Sequence, residues 1–160
     1  ILLMRQAKEV GPQPQAFLGA GAGFTTTEFA KERAISENVI SCTQWTDDVS
    51  WPGAKDFGAR YKAKFGKEPT YHAACAYASM VIMAETARNA GGDRAKTRDA
   101  LKAGQWNGVM GEVKFADYEG FTNQNNHQML VQQILSGNYE TILPTKFATK
   151  KAVYPFPKWK

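Results

Sequence analysis

Residues 15 to 28 read Gln-Ala-Phe-Leu-Gly-Ala-Gly-Ala-Gly-Phe-Thr-Thr-Thr-Glu, a short apolar strand, a glycine-rich loop and a helix start. Thr25 and Glu28 have the spacing of a capping box, in which a Thr side chain and a Glu carboxylate satisfy free backbone N–H groups. Small residues let a ligand approach the backbone, and a helix N-terminus offers N–H donors with partial positive charge. Such a loop holds a small carboxylate without using a side chain. An ordinary β–α turn, in which glycine only permits the bend, uses the same residues. The local pattern alone favours the plain turn.

Other chemistry is hard to assemble. His72 and His127 lie in different elements, with no Ser or Cys partner at motif spacing. Asp47-Asp48 has the charge for a cation, but adjacent loop carboxylates usually face water. No lysine follows the glycines, so Gly19 to Gly23 is not a P-loop. Their G-x-G-x-G spacing also departs from the dinucleotide fingerprint. Cys42 and Cys75 have no CxxC or CxxH neighbours and read as small, buried residues, with pairing left open. We expect no metal, no cofactor and no catalysis. The aromatic residues near loops, Phe24, Trp45 and Trp51, suit either the wall of an apolar cleft or the rim of a core.

The elements that must position these residues follow from pattern. Of 160 residues, 43% are hydrophobic, which permits a packed core and argues against disorder. Residues 1–10 fit a helix with Leu2, Leu3, Gln6 and Ala7 at helical spacing, closed by Gly11-Pro12. Residues 16–18 predict a strand, 26–34 a short helix and 38–45 a strand rich in β-formers. This α-β-α-β order is the grammar of a parallel α/β sheet. A turn-rich segment follows at 46–53. Helices are then predicted over 53–65, with Ala54, Phe57 and Tyr61 on one face, over 71–89 and over 93–103. Ala74, Ala78, Val81, Ile82 and Glu85 mark one stripe of the longest helix, which Gly91-Gly92 stops. Residues 108–115 alternate like an exposed strand, and 123–126 read as a polar loop. Residues 128–135 and 139–143 predict a hairpin across Ser136-Gly137-Asn138. The proline-rich tail at 154–159 excludes regular structure. The order is α/β, then an all-helical middle, then antiparallel strands, as in a chain that leaves one lobe, visits another and returns.

No apolar run approaches the length of a membrane span, and no secretory signal opens the chain. Beginning inside a helix pattern, the sequence reads as part of something longer. The net charge of +5 is spread over helix faces with no nucleic-acid motif, so no nucleic-acid partner is expected.

The order of segments resembles the C-terminal part of a type I periplasmic substrate-binding protein of the branched-chain amino acid (Leu/Ile/Val-binding) type, a receptor of ABC importers. The stretches that carry it are Leu3-Met4-Arg5-Gln6-Ala7-Lys8, Phe17-Leu18-Gly19-Ala20-Gly21, Trp51-Pro52-Gly53-Ala54-Lys55-Asp56-Phe57 and residues 61–69, Tyr-Lys-Ala-Lys-Phe-Gly-Lys-Glu-Pro. Tyr71-His72-Ala73-Ala74, Arg98-Asp99-Ala100-Leu101, Gly111-Glu112-Val113-Lys114-Phe115 and Tyr154-Pro155-Phe156-Pro157 add to it. The likeness covers nearly all 160 residues, and each motif is moderately specific.

The resemblance implies an α/β fold with two lobes joined by three crossovers, a Venus-flytrap that is incomplete here. Residues 1–46 and 127–160 would belong to the C-terminal lobe and 47–126 to the N-terminal lobe. It implies capture of a small carboxylate or amino-acid-like ligand, and delivery to a membrane permease from a periplasmic or membrane-anchored extracytoplasmic position. Ala20, Gly21, Ala22, Gly23 and Phe24 would form one wall, with Gln44, Trp45 and Tyr71 near the hinge and mouth. Amino-acid-binding members carry an acid in this loop for the ligand ammonium, and the matching place is Gly21. A buried ammonium without a counter-charge is costly, so the expected ligand is an aromatic or aliphatic carboxylate lacking one. A fragment would lack part of the cleft and would self-associate through unpaired strands. Two other readings stand: a ligand-sensing regulatory protein of the same fold, and a basic fragment that binds acidic surfaces.

Overall fold

A computed structural model describes residues 1–159. Six helices are α1 Leu2–Val10, α2 Thr27–Lys31, α3 Arg33–Ser36, α4 Ala54–Phe65, α5 Tyr71–Asn89 and α6 Arg94–Ala103. The strands are β1 Leu18–Gly19, β2 Ile40–Thr43, β3 Gln105–Gly108, β4 Gly111–Lys114, β5 Ala116–Tyr118, β6 Phe121–Gln124, β7 Leu130–Leu135 and β8 Asn138–Leu143. The chain divides into two compact units, one of residues 1–49 with those from 129 onward, the other of residues 50–128.

The first unit is built on a four-stranded sheet of order β1-β2-β7-β8. β1 runs parallel to β2, while β2–β7 and β7–β8 are antiparallel. The parallel pairing predicted for the first 45 residues is present, but β1 is shorter than residues 16–18 suggested. Pairing begins earlier as a single bond, Ile40 N–H donating to the Phe17 carbonyl at 2.9 Å. Met4, Phe29, Ala30, Ile35, Val39 and Ile134 form the core, with Phe17, Phe24, Tyr139, Phe156 and Trp159 packed against it. Burying a side chain such as Phe29, 1% exposed, contributes about 2 kcal/mol.

Several sequence expectations shift here for physical reasons. The helix expected over 26–34 breaks at Glu32, whose backbone leaves the helical region, so α2 and α3 each direct an apolar residue, Phe29 and Ile35, inward. In α1 it is Met4 that is buried, while Leu2 and Leu3 are exposed. The β7–β8 hairpin turns on Ser136-Gly137, both at positive φ, and Glu37 accepts hydrogen bonds from the N–H groups of these two residues. The irregular tail is held by Gln133, buried in β7. Its amide donates to the carbonyls of Asn38 and Val153 and accepts from Val153 N–H.

The second unit holds α4, α5 and α6 with two β-hairpins, so the middle of the chain is not all helical. The strand expected over 108–115 is instead the turn and second arm of a hairpin. Gly108 pairs with Gly111 across the two-residue turn Val109-Met110, which is buried although a turn. Part of the polar loop expected at 123–126 is strand β6. Ala54 and Phe57 of α4 are buried, and the Phe57 ring lies 4.9 Å from that of Tyr77 on α5. Gly66, at φ +68, closes α4 as a left-handed cap. On α5 the buried stripe is Ala74, Ala78 and Thr86, whereas Val81 and Glu85 are exposed. Among the described residues no helix is long and apolar enough to cross a membrane.

Asp48 departs from the solvent-facing acid that its position suggested. It accepts from Thr141 N–H at 3.0 Å, the Thr141 hydroxyl at 2.6 Å and the Thr149 hydroxyl at 2.6 Å. Burial alone would raise its pKa, but the bonds from Thr141 and Thr149 outweigh it and hold the carboxyl below its ordinary value of 3.8. A depressed pKa contributes stability that is present above the unfolded value and is lost as pH falls through the folded one. Asp48→Asn keeps the shape but loses an acceptor oxygen, and we expect it to cost about 2 kcal/mol near neutrality. Urea unfolding followed by circular dichroism checks this. The gap between wild type and variant should hold at neutral pH and narrow as pH drops below 3.8.

Candidate functional site

The glycine loop follows β1 and begins a 3₁₀ turn at Ala22–Thr25. Gly21 caps that turn at φ +66, a conformation that L side chains rarely adopt. The capping box expected from Thr25 and Glu28 is not formed. The cap of α2 is Thr26, whose hydroxyl accepts from Phe29 N–H at 3.2 Å, so the position that would reciprocate holds Phe29 instead of Glu28. Thr25 donates its hydroxyl to the Ala22 carbonyl at 2.8 Å and tightens the turn.

Ala20, Ala22 and Gly23 are exposed and Gly21 is half-buried. A Cβ at Gly23 would meet nothing within 4 Å, so the loop is open on that side. From Gly19 to Thr27 the loop carries no charged side chain, and its exposed residues Ala20, Ala22 and Gly23 offer only backbone and methyl groups. Phe24 is half-buried and turns its ring across Gly19, edge-on to Phe29 at 5.2 Å. A Cβ at Gly19 would stand 2.2 Å from that ring, so this glycine is required by the close approach.

Sequence reasoning missed the groups that fix the loop. The Tyr139 hydroxyl on β8 shares its proton between the carbonyls of Phe24, at 2.9 Å, and Thr26, at 2.8 Å. Burial, with the Glu28 charge adding to it, pushes the Tyr139 phenol far above its ordinary range, so it remains a neutral donor. Ser41 on β2 also donates to the Phe24 carbonyl, at 3.3 Å, and accepts from the buried Gln132 amide at 3.1 Å. These partners lie 17 to 115 residues from the loop, and no local pattern signals them.

The other expected site residues fall elsewhere. Gln44 is half-buried just beyond β2, and Trp45 beside it is only 3% exposed. The Thr43 hydroxyl donates to the Trp45 carbonyl at 3.0 Å and shapes this bend. Tyr71 belongs to the other unit, where it opens α5 and stacks on His72 with ring centroids 3.9 Å apart. Cys42 and Cys75 are both free thiols, one in each unit. Among the described residues no group of three or more His, Cys, Asp or Glu could hold a metal ion. The loop presents an uncharged, backbone-rich surface, hydrogen-bonded from behind by Tyr139 and Ser41.

Two substitutions test this construction. Tyr139→Phe should speed hydrogen exchange of the amides of residues 22–26 and cost about 1 kcal/mol, leaving α5 unchanged. Gly19→Ala should displace the Phe24 ring, seen as a changed Phe24–Phe29 contact in nuclear Overhauser spectra.

Known proteins place this geometry. The family profile described as periplasmic binding protein matches residues 1–138. A Leu/Ile/Val-binding protein homolog 7 from Brucella melitensis is 27% identical over 97% of this chain and 41% of its own. A leucine-binding protein, LivK, from Thermotoga maritima aligns with a TM-score of 0.71 and 26% identity, covering 88% of this chain and 40% of that one. The branched-chain amino acid transporter substrate-binding protein LivJ of Streptococcus pneumoniae, solved with isoleucine, aligns at TM-score 0.69 and 25% identity over 89% of this chain and 41% of its own. The chain thus spans about two fifths of the length of these relatives. With most of its residues matched by that profile and its α/β fold shared with these receptors, the chain belongs to the periplasmic binding protein family.

Proposed function

We propose that this chain is part of a solute-binding receptor of an ABC importer, which captures a small carboxylate or amino-acid-like ligand between two lobes and delivers it to a membrane permease. The family consists of binding receptors, not enzymes, and implies an extracytoplasmic location. In this reading residues 1–46 and 127–160 contribute to the C-terminal lobe and 47–126 to the N-terminal lobe. The separation of the chain into units near residues 49 and 129 supports that assignment. Ligand would favour the closed arrangement through contacts that the open one lacks.

The observation that carries the ligand class is the loop from Ala20 to Phe24. It is open at Gly23, fixed from behind by Tyr139 and Ser41, and free of any carboxylate. Ala20, Gly21, Ala22, Gly23 and Phe24 form one wall in this reading, with Gln44, Trp45 and Tyr71 nearer the hinge and mouth. A wall without an acid suits a carboxylate lacking an ammonium group, since a buried ammonium needs a counter-charge. Among similar receptors, one was solved with isoleucine and one with Leu, so amino acids are the comparison to make.

Isothermal titration of leucine and of its 2-oxo analogue into the protein separates these ligands. Tighter binding of the 2-oxo acid, by about tenfold or more, is expected from the missing counter-charge. Leucine binding far more tightly would overturn the ligand class, and heat from neither would count against a binding site in this chain.

A further inference from the structure

The glycine loop departs from β1, a strand of only two residues. Two register pairs, Leu18 with Ile40 and Gly19 with Ser41, give so short a strand little hold of its own. Tyr139 and Ser41 hold the far end of the loop, by the carbonyls of Phe24 and Thr26. Its near end starts from Phe17, and the proline-rich tail grips that residue. The Phe17 ring lies 4.9 Å from the Phe156 ring, edge to face, and 5.2 Å from the Trp159 ring. Phe156 and Trp159 also touch each other, with centroids 5.2 Å apart. We propose that Phe156 and Trp159 are positioning residues of the glycine loop, clasping Phe17 so that the loop leaves β1 in one direction.

Hydrogen bonds seat the clasp along its length, and all of its residues belong to the unit of residues 1–49 with those from 129 onward. Residues 11–17 join α1 to β1 without regular structure. Phe156 N–H donates to the Gln15 carbonyl at 2.7 Å, and the Trp159 indole N–H donates to the Pro12 carbonyl at 3.1 Å. Further back the tail is anchored on β7. There Val153 N–H donates to the Gln133 side chain at 2.8 Å, and its carbonyl accepts from the same amide at 3.0 Å. Lys8 of α1 stands 5.9 Å from the Trp159 ring centre. Between Ala152 and Trp159 the two rings are half-buried and every other residue is exposed, so the rings are what hold the tail down. Phe17 and Phe24 bracket the segment from Leu18 to Gly23 and pack against one core, which fixes both ends of the loop to the same body. The clasp itself needs no ligand. Its bearing on ligand binding rests on the receptor reading, in which it sets where the wall stands before a ligand arrives.

Amide hydrogen exchange of the ligand-free protein, followed residue by residue by nuclear magnetic resonance, tests the clasp. Trp159→Ala should accelerate the amides of residues 17–21 by about threefold to tenfold, as expected for losing ring contacts of this kind. The amides of β7 and β8 should keep their wild-type rates. Trp159→Phe retains a ring and should restore the slow rates at residues 17–21, although it loses the indole donor. Phe156→Leu keeps apolar volume without a ring and should accelerate the same residues. Acceleration confined to residues 152–159 in Trp159→Ala would overturn the proposal. So would Trp159→Phe matching Trp159→Ala, or a general rise through β7 and β8, which would make Trp159 an ordinary packing residue. Should Trp159→Ala fail to fold, acceleration in Phe156→Leu but not in Trp159→Phe still supports the clasp, and equal behaviour refutes it. Titration of the same variants with the 2-oxo analogue of leucine keeps the two claims apart. Where the wild type binds, Trp159→Ala should bind about threefold to tenfold more weakly and Trp159→Phe as the wild type does. Equal affinity in Trp159→Ala would overturn the role of the clasp in the wall. No heat from the wild type would count against the receptor reading alone, and exchange would still decide the clasp.

Discussion

The antiparallel ladder between Ile40–Thr43 and Leu130–Gln133 is the constraint on which the rest of the structure depends. It rejoins two segments separated by the whole second unit. Closing an excursion of that length costs about 4 kcal/mol of chain entropy. The offset lies in β7, where Leu130 and Ile134 are buried at 0% and 1% exposure and Gln132 and Gln133 have their amides hydrogen-bonded. A polar residue so placed is safe only when fully partnered, and here the partners are the loop side (Ser41) and the tail (Val153). The same strand therefore fixes the sheet, the glycine loop and the tail.

From that ladder follows the character of the candidate site. β8 is held beside β7, and it carries Tyr139 to the loop carbonyls and Thr141 to Asp48. The loop is held from behind by neutral hydroxyl donors and left open at Gly23 in front. In the proposed reading, a wall held this way would orient a ligand with backbone groups at little entropic cost. It would supply shape and dipoles rather than charge, so the proposed preference for a ligand without an ammonium group turns on the absence of an acid from residues 19–27.

Much of the fold was legible where local pattern and burial agree. α5 occupies the predicted residues because an alanine-rich helical run is closed by Gly91-Gly92, and α4 ends at its glycine cap. The β7–β8 hairpin was visible because Ser136-Gly137 is turn chemistry. Elsewhere tertiary packing overrode local signals. Val109-Met110 is an apolar turn, legible only when one knows that it is buried. Glu32 interrupts a helix that propensity alone would continue, so that Ile35 reaches the core. In the candidate site, the glycine loop was apparent from composition, but its supports were not. Tyr139, Ser41 and the threonines around Asp48 come from strands that only the β2–β7 pairing brings together.

The most direct test of the central claim, that residues 20–24 are a ligand wall, is the amide spectrum of the nitrogen-15-labelled protein during titration with a small 2-oxo acid. Saturable shifts are expected at Gly21, Ala22 and Gly23, with α6 unmoved. Shifts that leave this loop untouched, or that move only exposed lysines uniformly, would contradict it.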